Sequence, residues 1–280
     1  MNDGEEVIIP APYWLSYPQM VRLAGGKPVF LNSSAEDGFK INIQELKAKV
    51  TSKTKFIIIN SPNNPTGRVM PKEELLQIAE VVRENKNINI LSDEIYELIL
   101  KKEFKHLSLA SLAPDLKERI FIINGFAKGW AMTGWRVGYL VGQKDVIRAS
   151  SALQSQSTSN VCSFVQRGAL EALKINQEFF LKINSHYDLR REVLYKGLKN
   201  IEGLFIHPPN GAFYAFPRLP NNSITSVEFC KKILNDYGLV VVPGKPFGDD
   251  QCFRISCASS KEKILDGLSR LKKGISNYYF

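Results

Sequence analysis

Histidine is scarce in this chain of 280 residues. Three occur, His106, His186 and His207, too scattered to gather a His-rich metal site. The four cysteines, Cys162, Cys230, Cys252 and Cys257, match neither a disulfide framework nor C-x-x-C zinc spacing, which leaves buried or free thiols. No apolar run approaches the roughly eighteen residues that a membrane span needs. The opening Met1-Asn2-Asp3-Gly4-Glu5-Glu6 is acidic where a signal peptide is basic, so a cytoplasmic chain without a membrane partner is the expectation. Repeats and low-complexity tracts are missing, and Gly25-Gly26-Lys27 lacks the earlier glycine and following Ser/Thr of a phosphate-binding P-loop.

What is present is ordinary globular material, 44% hydrophobic, in a length that suits two lobes or one large α/β domain. The net charge is +9, but Lys47, Lys49, Lys53, Lys55 and Lys72 are mixed with acids such as Glu73 and Glu74. No dense basic tract with interleaved aromatics appears, so a solvated basic surface is expected and a nucleic-acid partner is not. The same charge is compatible with cations lining a cleft for an anionic ligand.

Apolar runs and turn signals alternate along the first part of the chain. Strands are expected at Val7–Ile9, Pro28–Leu31, Phe56–Ile59, Ile88–Leu91 and Ile120–Ile123. Between them come a helix ending near Leu23, another over Ile43–Val50 and a third from Pro71 to about Asn85. This order argues for a mostly parallel sheet flanked by helices, where ligands collect at the carboxyl ends of the strands. Helices follow at Lys144–Leu153, Cys162–Leu173 and about Glu178–Lys199. After them come candidate strands at Leu204–His207, Ala212–Phe216, Leu239–Val242 and Cys252–Ser256, with helices at about Val227–Tyr237 and Lys261–Lys273. The expected division is a large domain over residues 1–180 and a smaller α+β lobe over residues 181–280.

Three strands end in polar side chains: Asn64 follows Phe56–Ile59, Asp93 and Tyr96 follow Ile88–Leu91, and Lys128 follows Ile120–Ile123. Lys128 stands out, because burying an ammonium costs on the order of several kcal/mol unless it is paired or neutralised. With Arg136 eight residues later and Trp14 on a neighbouring loop, this is the set that pyridoxal phosphate chemistry requires. It needs a lysine for the Schiff base, an acid for the pyridinium nitrogen, and cations or amides for the phosphate. A lysine displaced by an incoming amine is also free to act as general acid and base.

At these residues the sequence resembles the class I/II aminotransferases of pyridoxal phosphate fold type I, most closely the bacterial aspartate aminotransferase-like subgroup. The similarity runs through Ala11-Pro12-Tyr13-Trp14, Ser61-Pro62-Asn63-Asn64-Pro65-Thr66-Gly67, Ser92-Asp93-Glu94-Ile95-Tyr96-Glu97 and Asn124-Gly125-Phe126-Ala127-Lys128. It continues through Met132 to Tyr139, Gln154 to Asn160, Gly211-Ala212-Phe213-Tyr214 and Val241-Val242-Pro243-Gly244. Their shared order and spacing carry it over essentially the whole chain.

The resemblance implies roles. Lys128 matches the Schiff-base lysine, Asp93 the partner of the pyridinium nitrogen, and Tyr96 and Asn64 the donors to the cofactor's 3′ oxygen. Arg136 matches a phosphate ligand, Trp14 the aromatic stacked on the ring, and Arg254 the arginine that forks the substrate α-carboxylate, with Asn64 also beside the substrate. It implies a homodimer that moves an amino group from an amino acid, aspartate foremost, to a 2-oxo acid such as 2-oxoglutarate. It also places Met1 at an interior point of the family pattern, on the order of a hundred residues after its usual start. The missing part would hold a glycine-containing loop that donates to the phosphate and a tyrosine lent across the dimer. Two other readings stay open: an inactive gene fragment or interaction protein, and another fold type I enzyme such as an aromatic or prephenate aminotransferase or a carbon–sulfur lyase.

Overall fold

The computed structural model describes residues 1–279. Its first part alternates β1 (Glu6–Pro10), α1 (Tyr17–Leu23), β2 (Lys27–Leu31), α2 (Ile43–Lys49), β3 (Thr54–Asn60), α3 (Lys72–Glu84) and β4 (Asn89–Asp93). A short α4 (Leu109–Leu112) and a 3-10 turn at Pro114–Arg119 then lead to β5 (Ile120–Gly125) and β6 (Gly138–Val141). The six strands form one sheet in the order β2-β1-β3-β4-β5-β6. All neighbours are parallel except β6, which runs antiparallel to β5 at the edge. The expected α/β class with a mostly parallel, helix-flanked sheet is therefore present.

The inner strands read as near-continuous apolar runs because both faces are covered. On one side Ile57, Ile59 and Ile90 pack against Leu46 of α2 and Leu75, Ile78 and Val82 of α3. On the other, Ile9 and Ile58 meet Tyr17 and Val21 of α1. Register sets up the site. Asn60 pairs with Asp93 across β3 and β4, and Asp93 with Ile123 across β4 and β5, so three strand ends lie level.

Helices α5 (Lys144–Ser157), α6 (Ser163–Ala172) and α7 (Gln177–Lys199) follow, then β7 (Tyr214–Ala215), α8 (Ser226–Tyr237), β8 (Val242–Pro243), β9 (Phe253–Ser256) and α9 (Lys261–Tyr279). Strands β7, β9 and β8 make a second, antiparallel sheet. A separate core forms here from Leu194 and Leu198 of α7, Phe229 and Ile233 of α8, Phe253 of β9 and Leu268 and Leu271 of α9. Helix α8 starts on a reciprocal Thr225/Glu228 capping box and stops at Gly238, whose φ of 61° suits a residue without Cβ.

Four expected elements differ in the structure. Leu204–His207 is not a strand: Phe205 makes an isolated bridge to Arg218, and Pro208-Pro209 follows, removing two successive N–H donors. The span Ala212–Phe216 narrows to β7, while Leu239–Val242 gives way to β8 at Val242–Pro243. The helix foreseen to Lys273 continues to Tyr279, carrying buried Ile275 into the core.

Candidate active site

A cavity of about 620 Å³ opens at the carboxyl end of the large sheet, and all seven residues singled out from the sequence line it: Trp14, Asn64, Asp93, Tyr96, Lys128, Arg136 and Arg254. The level ends of β3, β4 and β5 bring Asn64, Asp93, Tyr96 and Lys128 together, Trp14 comes from the loop after β1, and Arg136 from the turn before β6. Arg254 arrives from β9 of the second sheet.

The turn Asn63–Gly67 joins the two sheets. Asn63 Oδ1 accepts from the backbone N–H and hydroxyl of Thr66. Gly67 has φ of 71° and its carbonyl accepts from the N–H groups of Asn210 and Gly211. A Cβ at Gly67 would stand 2.7 Å from the Tyr214 carbonyl oxygen and 2.9 Å from that of Gly211, so the approach requires glycine. Asn60 ties the same edge, donating from Nδ2 to the Asp93 carbonyl at 2.9 Å and accepting the Asn64 N–H at 2.8 Å.

Asp93 is buried, and its carboxylate accepts from the Tyr17 hydroxyl at 2.5 Å and the Ile95 N–H at 3.2 Å. Burial raises its pKa, Tyr17 and Ile95 oppose the rise, and neighbouring Glu94 adds to it. Tyr17, buried beside this acid, is held well above the ordinary phenol range first by burial and then by Asp93, so it remains a donor. Glu94 beneath the site is satisfied by Ser92, Ser108 and His106.

Lys128 is partly buried in the turn after β5. Its Nζ lies 5.9 Å from the centre of the Tyr96 ring and 5.8 Å from that of Phe213. Burial lowers its pKa, and the charges acting on it, Arg136 and Arg254, push the same way. Tyr96, buried, has its pKa raised first by desolvation, and its hydroxyl sits 3.2 Å from that of Tyr214, where either oxygen can be the donor. Trp14 meets Tyr17 edge-on at 5.4 Å. Arg136 is exposed at the rim in a left-handed backbone conformation, φ 54°, with Nη1 donating to the Thr133 carbonyl at 3.0 Å.

Arg254 lies between the rings of Tyr214 and Phe247, at 4.5 and 4.9 Å from their centres. Its Nη1 donates to Asn64 Oδ1 at 3.0 Å, while its Nε is buried without a partner among the described residues. With the carbonyl of Asn64 so engaged, its amide N–H groups are left to face a ligand.

Tyr17, Tyr214 and Asn60 also line the cavity, and none was singled out as a site residue. A tyrosine inside an apolar segment was the available signal, since a buried phenol seeks a hydrogen-bond partner.

The family model described as aminotransferase class I and II matches residues 1–271. A probable aspartate/prephenate aminotransferase of Rickettsia conorii is 43% identical over 285 residues, covering 98% of this chain and 71% of the relative. An aspartate aminotransferase of Bacillus subtilis is 41% identical over 283 residues, covering 99% and 72%. Among solved structures, the aspartate aminotransferase of Rhizobium meliloti superposes with a TM-score of 0.94 at 35% identity, over 99% of this chain and 72% of that one. The aromatic aminotransferase of Pyrococcus horikoshii gives a TM-score of 0.94 at 39% identity, over 99% and 74%. With its fold, its cavity and its sequence in agreement over nearly its whole length, this chain belongs to the class I and II aminotransferase family.

Proposed function

We propose that this chain transfers the amino group of an amino acid, aspartate foremost, to a 2-oxo acid such as 2-oxoglutarate, using pyridoxal 5′-phosphate held around Lys128. The observation that carries this reading is a lysine of lowered proton affinity, placed in one cavity with a buried carboxylate, a phenol, an amide and two arginines. The donor set fits the cofactor. Among the described residues that line the cavity are three cations, Lys128, Arg136 and Arg254, and one carboxylate, Asp93, a balance that suits a phosphate together with a substrate carboxylate, and the buried Arg254 Nε can donate to such a group.

Bound there, pyridoxal phosphate supplies an electron sink for the pair left when the substrate Cα loses its proton. The protein's groups do the rest. Asp93, fixed by Tyr17, holds the proton on the ring nitrogen. Tyr96 and Asn64 donate to the ring oxygen, Trp14 offers an aromatic face, and Arg136 takes the phosphate. Lys128 would hold the cofactor covalently and, as a free amine, would carry the substrate Cα proton; its lowered pKa brings the neutral amine nearer to neutral pH. Arg254 grips the α-carboxylate with its planar fork, preoriented by two rings and Asn64.

Arg254→Lys is therefore expected to lower kcat/KM for the amino donor about ten- to a hundredfold, the range for a lost hydrogen bond between charged groups. Cofactor affinity should stay within about twofold, because the arginine serves the substrate. Steady-state kinetics beside a cofactor titration check both.

The test of the function is a half-reaction. Aspartate added to the cofactor-loaded chain should bleach the visible band of the lysine-linked cofactor, and 2-oxoglutarate should restore it. A band untouched by any amino donor overturns the reading. A band that responds to aromatic donors and not to aspartate overturns the substrate assignment. We place the enzyme in the cytoplasm as a homodimer. The apolar residues exposed along β6, α5 and α6, among them Tyr139, Val141, Leu153 and Phe164, support a packed partner there.

A further inference from the structure

Tyr214 joins the two sides of the cavity. It sits on β7 opposite Ser256 of β9, which makes Arg254 its diagonal neighbour on the same face. Its ring carries the Arg254 guanidinium at 4.5 Å, and its hydroxyl lies 3.2 Å from that of Tyr96. Both phenols are buried, at 8% and 3% exposure, so neither can turn to bulk water for a partner. Only one of their two protons can lie between the oxygens. Which tyrosine gives it decides where the other proton points.

Two observations fix the direction. Tyr96 is the member beside Lys128, 5.9 Å from its Nζ to the ring centre, so its proton has a use in the cavity. Both rings have a cation over them, but the Arg254 guanidinium lies 4.5 Å from the centre of the Tyr214 ring and the Lys128 amine 5.9 Å from that of Tyr96, so the closer cation withdraws more electron density from Tyr214 and strengthens its O–H as the donor.

We propose that Tyr214 is a positioning residue that donates to the Tyr96 oxygen, so that the Tyr96 proton is directed at the ligand anchored on Lys128. Arg254 lies over the same phenol, and substrate binding at the arginine is thereby linked to the donor strength of Tyr96. This inference rests on the function proposed above, in which Tyr96 donates to the cofactor's ring oxygen. A donor there stabilises negative charge on that oxygen and lowers the affinity of the lysine-linked group for its proton. Weakening the donor moves the protonation midpoint upward.

The experiment is a pH titration of the visible absorption of the cofactor-loaded protein, in wild type, Tyr214→Phe, Tyr96→Phe and the double variant. Tyr214→Phe keeps the ring under Arg254 and removes the hydroxyl. Its midpoint should rise by about half a pH unit, with cofactor affinity about threefold weaker, the scale of one neutral hydrogen bond partly lost. Tyr96→Phe should shift it further, and adding Tyr214→Phe to Tyr96→Phe should change nothing more, because one acts through the other. An unchanged midpoint in Tyr214→Phe, or shifts that add in the double variant, overturns the proposal. If Tyr214→Phe does not fold, 3-fluorotyrosine at position 214, a more acidic phenol, should move the midpoint downward, and an upward move or none overturns it. A wild-type protein that forms no visible band fails the parent reading, which separates the two failures.

Discussion

Lys128→Ala is expected to abolish covalent attachment of pyridoxal phosphate and to lower transamination by about 10⁴-fold or more, since the proposed mechanism makes one side chain both the covalent anchor and the acid–base group. The rest of the cavity is left intact. Asp93, Tyr96, Asn64, Trp14 and Arg136 still offer their contacts, so the cofactor should bind reversibly and wash out on gel filtration. The apo protein should not lose stability, because the amine removed carries a burial penalty and two arginines beside it. Absorption spectra and kinetics of the purified variant check this, and a rate within tenfold of wild type contradicts it.

Asp93→Asn should lower turnover about a hundred- to a thousandfold, the range for removing one preorganised electrostatic partner. It should act in the opposite direction on the empty protein. Burial raises the pKa of Asp93 above its unfolded value, so its charged form destabilises the fold. That penalty is fully present above the folded-state pKa and is relieved as pH falls through it toward the unfolded value. The apo Asn variant should thus melt above wild type at neutral pH, and the gap should close under mildly acid conditions. With cofactor added the order should reverse, wild type gaining most. A neutral-pH apo variant that melts below wild type would contradict this account of the acid.

Most of the site was legible in the sequence because its chemistry sits where an apolar run stops. Asp93 closes β4, Lys128 follows β5 and Asn64 follows β3, and a mostly parallel sheet places such ends together. Arg254, between Cys252-Phe253 and Ile255-Ser256, was assigned through the family resemblance, and the β7–β9 pairing explains how it reaches a cavity built by the other sheet. What escaped were residues whose meaning depends on a distant partner. Tyr17 reads as part of a helix entry, yet its hydroxyl meets Asp93 76 positions away. Tyr214 reads as an apolar strand residue, yet it meets Tyr96 118 positions away. Sequence periodicity records which face a residue takes and carries no signal for such a pair. The over-read strand at Leu204–His207 has the converse cause: its composition suits a strand, but the chain beyond it lacks donors.

Covalent attachment of the cofactor at Lys128, the centre of the proposed function, can be measured chemically. The protein is loaded with pyridoxal phosphate, reduced with borohydride to make any lysine linkage permanent, digested with trypsin and mapped by mass spectrometry. The expected result is one near-stoichiometric pyridoxyl phosphate on a peptide spanning residues 120–136, uncut at Lys128 because the modified side chain resists the protease. A label spread over other lysines, or none after reduction, would contradict the account.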